Sequence, residues 1–111
     1  MKRWIPITSL NDLEAIQSNI GYSVIFKHST QCPVSSMSKK AFEWEVDEIP
    51  ESVPLYFLDL IRHRDISKAI ASLFELKHES PQVILIESGK VKYHASHGAI
   101  SASKLAEDLK K

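Results

Sequence analysis

The sequence predicts an α/β fold, a mixed central sheet with helices on both faces in the order β-α-β-α-β-α-β-β-α. Three observations carry this expectation. The short apolar run Val24-Ile25-Phe26 has the length of a central strand covered on both faces, and Val83-Ile84-Leu85-Ile86 is a second run of strand length. The segments between the early runs carry apolar residues every three or four positions, the spacing of one helix face. The last two runs are parted only by Glu87-Ser88-Gly89-Lys90, a Gly-containing loop that turns a hairpin. Strands separated by helices must cross over, which places the first three parallel, and the hairpin adds antiparallel partners.

Trp4-Ile5-Pro6-Ile7 opens the order as a short strand. Pro6 assigns it to an edge or a strand end, because proline cannot donate to a ladder. Leu10, Leu13, Ile16 and Ile20 predict the first helix, with Ser9 as N-cap, Asp12 three residues on, and Gly21 as the stop. Residues 23–27 form the central strand. A second helix starting at Cys32-Pro33 puts Val34, Met37, Ala41 and Trp44 on one face, and Met37 and Trp44 are expected in the core. Pro50 and Pro54 bracket the link to a third strand over residues 55–60. Ile66, Ala69, Ile70, Leu73 and Phe74 give the third helix its apolar face, with Asp65 as N-cap. The hairpin strands cover residues 83–86 and 91–95. Ser101 caps a last helix carrying Ala102, Leu105, Ala106 and Leu109.

A chain of 111 residues is enough for one domain, spanning residues 1–111, and can bury a core without disulfides. Its single cysteine excludes an internal disulfide and fits a reducing, cytoplasmic setting. Fourteen basic and fourteen acidic residues cancel, which argues against a nucleic-acid surface. No apolar run reaches the ~20 residues of a membrane span. The basic start Met1-Lys2-Arg3 is followed by no apolar leader segment. A monomer without membrane attachment is expected.

Cys32 concentrates the chemistry. Thr30-Gln31 before it and Pro33 after it mark a loop-to-helix corner. Pro33 suits the first helical position, where a missing N–H costs nothing and φ is already helical. Cys32 then falls at the N-cap, against unpaired N–H groups and the positive end of the helix dipole. Both favour thiolate over thiol, and cysteines so placed titrate at roughly 3.5–7.5 instead of ~8.5. The added thiolate is nearly cancelled in attack by lost nucleophilicity, given a Brønsted slope of ~0.4–0.5. The gain comes when another thiol attacks a mixed disulfide and Cys32 must leave. Where a dithiol enzyme would carry its resolving cysteine stands Ser35, whose hydroxyl could donate to the thiolate but cannot resolve a disulfide. The spacing permits a single-thiol exchanger resolved from outside, with Thr30, Pro33 and Ser35 supporting the thiolate. The competing reading is a buried cysteine acting as a small hydrophobe.

This element order is the layout of the thioredoxin-like fold. Cys-X-X-Ser at the second strand-to-helix junction, with Ser80-Pro81 before a strand, resembles the thioredoxin and glutaredoxin superfamily. More specifically, Thr30-Gln31-Cys32-Pro33-Val34-Ser35 and His78-Glu79-Ser80-Pro81-Gln82 resemble the monothiol bacilliredoxin family (YtxJ type) over essentially the whole chain. These are small proteins of bacteria whose main low-molecular-weight thiol is bacillithiol. The resemblance implies that Cys32 attacks a protein–S–S–bacillithiol bond and keeps the bacillithiol as a mixed disulfide. A second bacillithiol or a partner reductase would then regenerate it. Bacillithiol is thus implied as co-substrate, with no bound cofactor, and S-bacillithiolated proteins as partners. The resemblance also implies a cis Pro81 facing Cys32, with the Ser80 backbone pairing to extended substrate. The Trp-Cys-Gly-Pro-Cys block of thioredoxins is absent, Gln31 standing where Trp would be. Pro33-Val34 likewise replaces the Gly-Phe of cluster-binding monothiol glutaredoxins. The alternative function is a binding module or iron–sulfur carrier with Cys32 as ligand.

Among the remaining candidates, His28 could stabilise the thiolate or be a plain strand-end residue, and His78 could line the substrate groove. His94 and His97 read as surface residues on the last strand. No Cys/His pair has zinc spacing, so no metal site is expected. Glu43, Glu45, Asp47 and Glu48 read as a solvated helix end, or as an acidic patch that selects partners.

Overall fold

The computed structural model describes residues 3–110; Met1 and Lys2, part of the basic start noted above, lie outside the described residues, as does Lys111. Five strands and four helices follow in chain order: β1 (Trp4–Pro6), α1 (Leu10–Ser18), β2 (Tyr22–His28), α2 (Pro33–Trp44), β3 (Leu55–Asp59), α3 (Arg64–Leu73), β4 (Gln82–Glu87), β5 (Lys90–Ser96) and α4 (Ala102–Asp108). The sheet order is β1-β3-β2-β4-β5. β1 and β2 both run parallel to β3, while β4 is antiparallel to β2 and to β5. The expected order, the parallel trio and the antiparallel hairpin are all present.

β2 is central because it has a side chain to bury on each face. Val24 and Phe26 point into one core with Phe42, Leu55, Val83, Leu85 and Leu105. Ile25 points into the other with Leu13, Ile16, Leu58, Ile66 and Ile70. The hairpin turns through Ser88 and Gly89, both at positive φ (50° and 81°), as a two-residue turn that follows the strand twist requires. Gly89 is doubly constrained, since an added Cβ would lie 2.6 Å from the Gln17 carbonyl oxygen.

Several helix details differ from the sequence reading. α1 ends at Ser18, and Asn19 turns the chain by donating to the Tyr22 carbonyl (3.2 Å) and the Ser23 hydroxyl (3.0 Å). Gly21 therefore follows the stop instead of making it, and Ile20 lies outside the helix, exposed like Leu10. The Asp12 carboxylate does accept the Ser9 and Thr8 N–H groups at the helix start. α3 is capped by His63, with Asp65 inside its first turn. Ser101 caps α4 as expected, accepting the Lys104 N–H at 3.2 Å.

The largest correction concerns α2. Val34, Met37 and Trp44 are 60%, 71% and 90% exposed, and Ala41 is exposed beside them. The buried positions are Ser35 and Phe42, about 100° further round the helix. Two contacts set that rotation. Phe42 packs its ring 5.4 Å from Phe26 and 5.9 Å from Trp4, and Ser35 is held by polar partners at the end of β2.

Candidate active site

Cys32 lies where β2 hands over to α2. It is the N-cap of α2, in extended backbone (φ −109°, ψ 116°), with Pro33 at the first helical position. Its N–H donates to the Ser29 carbonyl (3.2 Å), and its own carbonyl accepts the Ser36 N–H (3.1 Å), the first helical bond of α2. The thiol is free and half-buried, carried by the residue at the N-terminus of α2 and open to a partner.

One turn along α2, Ser35 is fully buried. Its Oγ accepts the Ser29 N–H at 3.1 Å and lies 2.7 Å from the His28 Nδ1. His28 is itself buried at the end of β2, its ring 5.4 Å from that of Phe57 and its carbonyl accepting the Leu60 N–H. Burial and the Lys39 charge push the His28 pKa down, against weaker opposing effects of Asp59, Ser35 and Glu43. The imidazole is therefore neutral at neutral pH, with one ring nitrogen as donor and the other as acceptor. If Nδ1 carries the proton, it donates to Ser35 and leaves the Ser35 O–H available to another acceptor. In the other tautomer Ser35 spends its O–H on Nδ1.

The other sequence candidates fall around this centre. Thr30 is exposed, with Oγ1 directed at the Asp59 carboxylate at 3.5 Å. The Ser80–Pro81 bond is cis, Pro81 is buried, and its carbonyl accepts the His97 N–H at 3.0 Å. His94 is exposed on β5, whereas His97 lies just past the strand in a short 3-10 turn, 3.8 Å from Glu79. The acidic group at the end of α2 is divided among structural tasks. Glu43 accepts the Trp4 indole N–H (2.6 Å) and Lys39 (2.9 Å), Glu45 accepts Ser101, and Glu48 accepts Ser103. Burial would raise the Glu43 pKa, but these two donors and the Lys39 charge outweigh it and hold the carboxyl below its ordinary range.

His78 is joined to a group that the sequence reading missed. Its Nδ1 lies 2.7 Å from the Lys27 Nζ and 3.3 Å from the Ser67 Oγ. Lys27 is fully buried, and its Nζ also donates to the Gln82 Oε1 at 3.0 Å. Burial pushes the Lys27 pKa down to about 8, with Glu79 opposing. The available signal was a lysine inside a strand already read as covered on both faces. Among the described residues no three His, Cys, Asp or Glu side chains gather into a metal-holding set.

A family model described as "Monothiol bacilliredoxin BrxC" matches residues 5–105. A solved structure, described as an oxidoreductase candidate with a thioredoxin fold, is 30% identical with a TM-score of 0.85, covering 96% of this chain and 94% of its own. Fasciola hepatica thioredoxin (TM-score 0.71, 19% identity, 95% of each chain) shares the fold. So does Malassezia sympodialis thioredoxin (TM-score 0.72, 18% identity, 95% of this chain and 87% of its own).

Proposed function

The chain belongs to the monothiol bacilliredoxin family of thiol–disulfide oxidoreductases, and from that premise we propose that it strips bacillithiol from S-bacillithiolated proteins. The observation that carries the reading is a lone, half-buried Cys32 at a helix N-cap, with a buried serine in place of a resolving thiol. In the first step the Cys32 thiolate attacks the bacillithiol sulfur of the mixed disulfide. The target protein leaves as its thiolate and takes up a proton, and the bacillithiol stays on Cys32. In the second step an external thiolate, a second bacillithiol or a reductase, attacks that bacillithiol sulfur. Cys32 departs as the thiolate, and the external sulfur ends joined to the bacillithiol sulfur in a new disulfide.

The helix N-terminus stabilises the sulfur anion in both steps, as nucleophile first and as leaving group second. Ser35 supports the sulfur indirectly, its hydroxyl tying His28 to the Ser29 N–H of the loop that carries Cys32. Pro33 fixes the start of the helix, Thr30 steadies the approach loop, and the segment His78-Glu79-Ser80-Pro81 receives the extended substrate. The test is a bacillithiolated protein incubated with wild type and with Cys32→Ala, read by intact mass. The adduct is expected to leave the target and appear on Cys32 in wild type alone. Equal loss with both proteins would reject the proposal.

A further inference from the structure

A second cleft lies across the sheet from α2, and it shares His78 with the segment proposed to receive substrate. Leu60, Arg64, Ser67, Lys68, Ala71 and His78 enclose a cleft of about 640 Å³ between α3 and the segment leading to β4. That volume is in the range of small-molecule sites, roughly 300–1,000 Å³. Arg64 and Lys68 stand one turn apart on α3 and face the same side. Among the described residues no carboxylate lines the cleft.

Behind His78 stands the buried Lys27. An ammonium only donates, so the His78 Nδ1 must accept from it, and the neutral ring carries its proton on Nε2. His78 is exposed, and that N–H is the donor it retains for a ligand. The partners of Lys27, His78 and Gln82, are both neutral acceptors. Glu79 is the carboxylate that acts on Lys27, yet burial still outweighs it, so a further anion nearby offsets part of the remaining cost. Cationic side chains over low-dielectric walls also concentrate field in a cleft. Leu60 and Ala71 supply an apolar wall, suited to a ligand with an uncharged body.

We propose that this cleft binds a small organic carboxylate, its anionic head held by Arg64, Lys68 and the Nε2–H of His78. The site borders the thiol segment, because the Leu60 N–H donates to the carbonyl of His28, whose ring holds Ser35. The proposal does not depend on the occupant being a thiol.

The test titrates isotope-labelled full-length Cys32→Ala protein with succinate, neutral succinamide and inorganic phosphate, so that no thiol chemistry contributes. Succinate is expected to bind in the millimolar range and shift the amides of Leu60, Ser67, Ala71 and His78, while succinamide leaves them in place. Arg64→Gln with Lys68→Gln is expected to weaken succinate binding at least about tenfold, as for lost charge-assisted hydrogen bonds. Absence of shifts with succinate, or equal shifts with succinamide, overturns the proposal even if the double variant does not fold. Phosphate binding more tightly than succinate overturns the assignment to a carboxylate.

Discussion

Ser35 and Lys27 show how single polar residues shape this protein. Ser35 is buried between His28 and the Ser29 N–H, so Ser35→Ala strands the buried His28 Nδ1 and the half-buried Ser29 N–H. The expected cost is about 1–3 kcal/mol, seen as a lower urea midpoint at unchanged slope; an unchanged midpoint would show that the pair contributes nothing. Lys27 makes stability depend on alkaline pH. Its folded pKa, about 8, lies below its ordinary 10.5, so folding releases its proton between those values. The cost of burying its charge is present in full below pH 8, falls away as pH rises toward 10.5, and is gone above it. The gap corresponds to about 3 kcal/mol for this one group. Urea titrations of wild type against Lys27→Met should therefore diverge least near pH 10.5, and parallel curves from pH 8 to 10.5 would count against the assignment. His28 acts at the acid end. Its folded pKa is below 6.5, so the stability gained by keeping it neutral holds above 6.5 and is lost as pH falls through the folded value.

At the scale of elements, α2 separates what spacing reveals from what it leaves open. Residues 34, 37, 41 and 44 do share one helix face, and the periodicity that predicts the helix is real. Which face turns inward was decided by a serine and one phenylalanine, and a buried serine carries no hydrophobic signal. The polar partners of Ser35 lie seven and six residues back, at the end of β2 and in the loop after it, beyond the reach of any helical period. The cap of α3 is a similar case, because His63 has none of the side-chain chemistry that marks a cap. By contrast the β4–β5 turn was legible from Ser88-Gly89, and the doubly covered β2 from its apolar run. The rotation of α2 predicts unequal costs of truncation: Phe42→Ala should lose about 3–5 kcal/mol, whereas Trp44→Ala should stay within about 0.5 kcal/mol. Thermal melts of both variants decide it, and comparable losses would contradict the observed orientation.

At the scale of the whole molecule, the fold delivers the thiol by topology. β2 and β3 run parallel and end together, His28 opposite Asp59, so the loops leaving them converge at one rim of the sheet. Ligands of open α/β sheets collect at such carboxyl ends. The β4–β5 hairpin adds the strand that starts directly after Pro81. The element order was enough to put Cys32 at a strand-to-helix junction, whereas the cleft walled by α3 was not legible. It needs Lys27 on β2 brought against His78, 51 positions away.

The solvent-facing stripe of α2 also makes the protein its own optical probe. Of its two tryptophans, Trp44 is almost fully in water on the helix that carries the thiol. Trp4 is packed against Phe26, Phe42 and Phe57, with the Lys39 ammonium 5.6 Å from its ring. The two indoles should therefore separate spectrally, the red-edge emission belonging to Trp44 and being the part that acrylamide quenches. Trp44→Phe is expected to shift the remaining emission to the blue. A group arriving on Cys32 can then be followed by the light of its own helix, with no label attached.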